Sequence, residues 1–373
     1  MKAINVNLKE FLECLDIVSN VVPSKCVMPI LTNVYIKFEK ENITFLGYDT
    51  MTSIKKIMFN KEDNFEVIEN GEILIDCKTL KAILDRLNCD YIDIYNENNK
   101  FVISSDKKIY KLNTVNVEDY PLIKFKKLDN EVDINTKELK NIISKTSFAC
   151  SQNQKKPILS GVNFILSNNQ LRAIATDSFK LSQYKFELEN TNQVNFVFPK
   201  QSLLVLDKLI SKANQDNIKF LYDNDGKNIL INFENTLYKT KLLEGTYPNM
   251  DRIVDSSKND KICEINKQDL INAIDRISIL TENDNQTIKL IFKNNELEIK
   301  NTESAFGNAS EIIDCNSDFD LTIVCNYKNL IEALKVFDEE NITFYLLNSS
   351  YPFYIKQPNN DNLLELLLPI KFE

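Results

Sequence analysis

The stretch PILTNV at Pro29–Val34 is nearly repeated as PILSGV at Pro157–Val162. The two copies lie 128 positions apart, and the same interval separates Asp49 in FLGYDTMTSI from Asp177 in AIATDSFKLS. Tyr120-Pro121 and Tyr247-Pro248 are 127 positions apart. Landmarks that share one long period mark an internal repeat. A third copy emerges from the helical patterns. INVNLKEFLECLDIVSNV, VDINTKELKNIISKTSFA and CEINKQDLINAIDRISIL share a frame, with Leu8, Leu139 and Leu270 spaced by 131 positions each time. Each copy reads as a short alternating strand, an Asn, then a helix. In the first, Leu8, Phe11, Leu12, Leu15 and Val18 form one apolar stripe. A second helix recurs in CKTLKAILDRL, KQSLLVLDKLI and NYKNLIEALKVF, anchored at Leu80, Leu203 and Leu330.

Between the helices the pattern changes to period two. ITFLGYD, YIDIYNENNKFVISS, IKFLYDNDGKNILINFE and LIFKNNELEIKN read as strands broken by Asn, Asp and Gly turns. The DNDG run at Asp223–Gly226 does not continue as a calcium loop and reads as a hairpin turn. The fold class is therefore α+β, with three repeated domains, each carrying two helices on antiparallel sheet. The expected boundaries are 1–126, 127–255 and 256–373. A unit of this size buries enough surface to fold alone.

Composition narrows the function. The 373 residues carry 45 basic and 54 acidic side chains, a formal net charge of −9, which argues against a protein whose whole surface grips nucleic acid. There is no His, so His-dependent triads, His general bases and His metal ligands are closed to this chain. The eight cysteines, at 14, 26, 77, 89, 150, 263, 315 and 325, form no C-x-x-C pair and read as free thiols in a reducing compartment. Glu10, Glu13 and Asp16 interrupt the first apolar pattern, unlike a secretory signal, and no apolar run reaches the ~20 residues of a membrane span. A cytoplasmic protein with no metal or other cofactor is expected. Asp49 and Asp177 admit a rival reading as carboxylates of a two-metal nuclease, but an Asp beside a strand end is more often a turn former.

In order along the chain, VMPILTNVYI, LNTVNVEDYP, AIATDSFKLS, LLEGTYPNMDRIV and LLLPIKFE resemble the bacterial DNA polymerase III sliding clamp family, the beta subunit. The resemblance covers all three repeats. It implies a clamp fold, a head-to-tail homodimeric ring that encircles duplex DNA with helices lining the hole. It also implies a non-catalytic processivity factor that tethers the replicative polymerase, the clamp loader and other partners through short peptide motifs. The alternative is a clamp-like peptide-binding scaffold that never encircles DNA.

The resemblance also places sites. A peptide pocket is implied at Leu159, Thr176, Ser178, Phe179, Lys180, Leu181, Pro248, Arg252, Ile253, Leu366, Leu368, Pro369 and Ile370, with Lys180 and Arg252 as rim cations. Phe179 and Lys180 stand where the family usually has His and Arg. Ring closure is implied by Tyr110 and Leu112 facing Ile279 and Leu280 of a second copy. Lysines 137, 140, 145, 155 and 156 surround the first helix of the middle repeat, and lysines 200, 208 and 212 sit on its second. Together with the family's contacts near Lys25, Asn153 and Pro157-Ile158, they give an expected DNA-contact set of Lys25, Lys140, Lys145, Asn153, Lys155, Lys156 and Lys200. At Pro157 and Ile158 the family often has aromatics and this chain has none.

Overall fold

A strand that runs into a helix opens every repeat, as the alternation predicts. The computed structural model describes residues 1–61, 63–121, 123–126, 128–153, 155–189, 193–213, 215–223, 225–282, 286–302 and 304–371. Lys127, at the expected first boundary, Asn224 of the DNDG turn and the last two residues of LLLPIKFE lie outside the described residues. Among the described residues the α-helices are α1 (Leu8–Ser19), α2 (Cys77–Leu84), α3 (Thr136–Thr146), α4 (Lys200–Ile210), α5 (Lys267–Ser278) and α6 (Tyr327–Lys335). Strands Lys2–Asn7, Asn130–Asn135 and Lys261–Asn266 run into α1, α3 and α5. Asn7 caps α1 by accepting from the Glu10 N–H, and Asn266 caps α5 by accepting from Gln268 and Asp269. Asp76 and Asn326 do the same for α2 and α6. The stripe of α1 is buried at Leu8, Phe11, Leu15 and Val18, with Cys14 rather than Leu12 as its fifth member.

The PILT and PILS copies are not strand. Each is one 3₁₀ turn, Pro29–Thr32 and Pro157–Ser160, with Pro at its start and its Leu buried. Thr32 Oγ1 donates back to the Pro29 carbonyl at 2.9 Å, and Ser160 Oγ donates to the Pro157 carbonyl at 2.6 Å. Strands Asn33–Glu39 and Gly161–Ser167 follow directly. With only six glycines in the chain, Asn supplies the left-handed conformation that tight hairpins need. Asn98-Asn99, Asn168-Asn169 and Asn294-Asn295 all have positive φ and join antiparallel strands by two-residue loops.

By contacts the chain divides into two compact units, residues Met1–Thr136 with Gln201–Leu242, and residues Lys137–Lys200 with Leu243–Glu373. The middle repeat is shared between them, and the reason is visible in the sheets. In the first unit an eight-stranded antiparallel sheet runs from Asn130–Asn135 to Gly71–Asp76, and its central seam pairs Thr236–Thr240 with Lys56–Thr52. A five-stranded sheet ends in the edge strand Lys108–Asn113. In the second unit an eight-stranded sheet runs from Val194–Pro199 to Lys261–Asn266, with a seam that pairs Lys180–Tyr184 with Leu367–Leu363. A four-stranded sheet ends in Ser310–Asp314. Each seam therefore joins strands of consecutive repeats, and a side chain below it ties the seam to a helix. In the first unit Thr52 Oγ1 lies 2.8 Å from Ser202 Oγ. In the second, Lys180 Nζ donates to Asn329 Oδ1 at 3.1 Å.

The first core is anchored where α1 meets its sheet. The rings of Phe11 and Phe45, both fully buried, meet edge to face with centroids 4.8 Å apart. Phe11→Ala is expected to destabilise the first unit by about 3–5 kcal/mol, through lost transfer energy and the cavity left behind. Urea titration followed by circular dichroism checks this, and a loss below about 1 kcal/mol would mean that the site collapses around the change.

Candidate functional site

Directly over the second unit's seam lies an apolar pocket of about 400 Å³. Strand alternation turns Leu181 and Leu366, which face one another in register, into its floor. Leu159 from the PILS turn, Thr176 and Met250 complete the buried surface, and Pro248 and Ile158 also line it. The mouth is unusually apolar. Phe179 is 68 % exposed and Ile253 44 % exposed, with Leu368 beside them.

Local chemistry explains how Phe179 is presented. Asp177 Oδ1 accepts from the N–H groups of Phe179 and Lys180 at 2.8 and 2.9 Å, and Ser178 between them takes a φ of +81°. Thr176 Oγ1 receives the Ser178 N–H and itself donates to the Lys180 carbonyl. The turn closes the strand pair while leaving the Phe179 side chain outside it. Leu368 N–H then donates to the Phe179 carbonyl at 2.9 Å, which fixes the two rims together. The first repeat builds the same turn. Asp49 Oδ1 accepts from Met51 and Thr52, and Thr50 has a φ of +86°. The repeated aspartates are thus turn formers, and among the described residues no cluster of His, Cys, Asp and Glu is placed to hold a metal. In the DNDG turn, burial pushes the Asp223 carboxyl up, but hydrogen bonds from Asn228 and from the backbone of Lys227 and Asn228 outweigh it and hold the group below its usual range.

Ten of the thirteen residues expected at the pocket line it, and three do not. Arg252 is exposed away from the cavity, Pro369 is outside it, and Ile370 donates its N–H to the Val324 carbonyl and lines a separate hollow. The strand ends at Leu367 and its last tie to the neighbouring turn is the Leu368 N–H, so the alternation no longer applies beyond Leu368. Lys180 is not a rim cation. It is 8 % exposed, and its ammonium donates to Glu332 Oε2 at 2.6 Å and lies over the Phe148 ring. The cation at the mouth is Lys156, which was expected to contact DNA. Met250 was missed. Its signal is the spacing of Met250, Ile253 and Val254 in an otherwise polar loop, which closes as a turn with Ile253 and Val254 both donating to the Met250 carbonyl.

Under the seam, on the face opposite the pocket, Glu365 is fully buried. Burial pushes its carboxyl well up, against the pull of Ser182, Lys180 and Lys145. Ser182 Oγ lies 2.6 Å from Glu365 Oε1 and 2.7 Å from the Lys145 carbonyl. The Ser182 hydroxyl is the donor to both acceptors, so its one proton is shared between the carboxyl of Glu365 and the Lys145 carbonyl. Lys145 itself is buried, paired with Asp338 at 2.6 Å and set over the Tyr184 ring, so it does not belong to an exposed DNA-contact cluster. Lys25, Asn153 and Lys155 are exposed, and Lys140 and Lys200 are half-buried. In the first unit Lys208 and Lys212 share a hollow of about 920 Å³ with Glu10, Glu13 and Asp16 of α1, so basic and acidic side chains face the same space.

The expected ring-closing residues are also on the surface. Tyr110 is exposed and Leu112 half-buried on the edge strand Lys108–Asn113, next to exposed Ile109. Ile279, just beyond α5, is 76 % exposed, and Leu280 is half-buried.

Three family descriptions match in succession: the N-terminal domain of the DNA polymerase III beta subunit over residues 2–124, its central domain over 133–249 and its C-terminal domain over 256–371. The chain belongs to the DNA polymerase III beta subunit family. The beta sliding clamp of Staphylococcus epidermidis is 29 % identical over 369 residues, 97 % of each chain. The DNA polymerase sliding clamp of Bacillus subtilis superposes over 100 % of both chains with a TM-score of 0.93 at 27 % identity. The DNA polymerase III beta chain of Streptococcus pneumoniae gives 0.92 at 29 % identity, over 100 % of this chain and 99 % of its own.

The buried acid is expected to make stability depend on pH. A carboxyl whose folded pKa is raised contributes stability that is fully present below the unfolded value of ~4.3 and is lost as pH rises through the folded value. Glu365→Gln keeps an uncharged group at every pH. Its thermal midpoint is expected to fall less than that of the parent between about pH 5 and pH 8. Parallel curves would mean that Glu365 stays charged in the folded chain.

Proposed function

We propose that the chain is a DNA sliding clamp, a non-catalytic processivity factor whose paired copies close a ring around duplex DNA and tether a polymerase and its exchange partners. The family match over the whole chain supports this, and the apolar pocket on the second seam carries the partner-binding part. Three repeat domains, residues 1–126, 127–255 and 256–373, supply the equivalent segments of such a ring. The chain acts in the bacterial cytoplasm. Among the described residues no helix is long and apolar enough to cross a membrane.

A clamp must remain on DNA without gripping it. Each phosphate contact releases counterions, and a protein with many such contacts would not slide. Topological linkage avoids this and keeps a tethered polymerase at high local concentration. A net charge of −9, with few exposed lysines among the expected contacts, suits that mode. Lys25, Asn153 and Lys155 are the proposed DNA contacts, with Lys140 and Lys200 more shielded. A preloaded clamp should stay on nicked circular DNA and run off once the circle is cut. Equal retention on both would leave a peptide-binding scaffold as the better reading.

The pocket accepts a short extended peptide with two or three apolar side chains. Burying each gives about 1.5–3 kcal/mol before ordering costs, which leads to micromolar affinity and ready exchange. Ile253→Ala lies at the exposed mouth and should weaken binding of a labelled apolar peptide about tenfold by fluorescence anisotropy. An unchanged affinity would move the peptide elsewhere.

Ring closure falls to the edge strand with Tyr110 and Leu112, against Ile279 and Leu280 of a second copy. An unpaired strand edge bearing exposed apolar residues is a template for pairing with another chain. Ile279→Ala combined with Leu280→Ala should give monomers by light scattering. A double variant that stays dimeric would remove these residues from the interface.

A further inference from the structure

No cysteine lines the pocket or stands among the residues proposed to close the ring, yet two of the cysteines meet. Cys263 lies in Lys261–Asn266, the outer strand of the second unit's eight-stranded sheet. Cys315 directly follows Ser310–Asp314, the outer strand of the four-stranded sheet. Between them an isolated antiparallel bridge pairs Glu264 with Asn316, whose N–H donates to the Glu264 carbonyl at 2.9 Å. Alternation turns Glu264 and Asn316 to one side and both cysteines to the other, as diagonal neighbours. Cys315 Sγ lies 3.4 Å from Ser317 Oγ, and Ser317 follows the bridge as Cys263 precedes it, so the two thiols stand on the same side of one short pairing. Cys263 is fully buried, while Cys315 is half-buried and lines an open polar groove with Asn295, Asp314 and Asn341.

The two environments differ in a useful way. The neighbouring Cys263 thiol, together with the Ser317 hydroxyl, pulls the Cys315 thiol below its ordinary value, against burial and the nearby Asp314 and Glu296 carboxylates. The Cys315 thiol beside it, with burial, pushes Cys263 up. An accessible thiol that ionises readily, backed by a buried second thiol, is the arrangement of an attacking and a resolving cysteine.

We propose that Cys315 is a redox modification site that reacts from the groove with a low-molecular-weight disulfide and is resolved by Cys263 to an internal Cys263–Cys315 bond. In the first step the Cys315 thiolate sulfur bonds to one sulfur of the disulfide RSSR, the S–S bond breaks and RS⁻ leaves. In the second, the Cys263 thiol gives its proton to the departing thiolate, and its sulfur bonds to Cys315 and displaces the second RS⁻, which takes up a proton. The two protein thiols lose two electrons and two protons, and RSSR becomes two RSH. The bond would tie the outer strands of two neighbouring sheets.

The native full chain, incubated with oxidised glutathione, then unfolded, alkylated with iodoacetamide and mapped by mass spectrometry, tests this. A Cys263–Cys315 linked peptide with the other six cysteines alkylated is expected. Cys263→Ala should hold glutathione on Cys315, and Cys315→Ala should leave Cys263 unmodified. Wild-type chain with both thiols still alkylated, or with glutathione retained on Cys315, would overturn the proposal. Should Cys263→Ala not fold, the pH profile for alkylation of native Cys315 decides. Its midpoint is expected below the ~8.5 of an ordinary thiol, and a midpoint at or above that value would overturn the assignment.

Discussion

The antiparallel pairing of Lys180–Tyr184 with Leu363–Leu367 is the constraint on which the pocket depends. It puts Leu181 beside Leu366 on one face, where they become the apolar floor, and Ser182 beside Glu365 on the other, where they join a buried polar network. A slip of one residue would invert every side chain, exposing the leucines to the polar layer and driving Glu365 into the pocket. Register here is therefore strongly specified from both faces at once. The buried network below the seam and the docking surface above it are two consequences of the same set of backbone hydrogen bonds.

Lys180 illustrates how that layer redirects a functional expectation. An ammonium at the pocket's edge reads as a hand for an acidic peptide. In the fold it reaches Asn329 and Glu332 at α6 and is nearly covered. Half-exposed Glu332 makes this pair a locking contact between two repeats rather than a large source of stability. What remains for a partner is apolar: Phe179, Ile253 and Leu368 around a leucine floor, with Lys156 as the cation at hand. Affinity then comes mainly from burial, which suits partners that displace one another.

The repetition extends to fine detail. Asp49 and Asp177 hold matching turns, with Thr50 and Ser178 in the left-handed region. A backbone in that region costs a non-glycine residue of order 1 kcal/mol or more and persists only where its surroundings enforce it. In both copies the enforcing group is the aspartate oxygen. The carboxylates that a nuclease reading would place on metal ions are already committed to backbone N–H groups.

Much of this was legible in the chain itself. Period, helix stripes, capping asparagines and Asn-rich turns are local properties, written within a few residues of where they act, and they gave the α+β repeat and its elements. The motif resemblance located most of the pocket, because Leu159 belongs to the repeated PILS turn and Thr176, Leu181 and Leu366 to strands quoted in the motifs. Other features were not legible because they depend on groups far apart in sequence. Lys145 is buried over the Tyr184 ring and paired with Asp338, 193 positions on. Lys180 is occupied by Glu332, 152 positions away, and Cys263 meets Cys315 across a single bridge between two sheets. The sequence by itself determined the elements, their threefold order and the family, because periodicity and capping act over short distances. Only the tertiary structure decided which charged and reactive side chains remain available, because availability is set by whatever the rest of the chain folds against them.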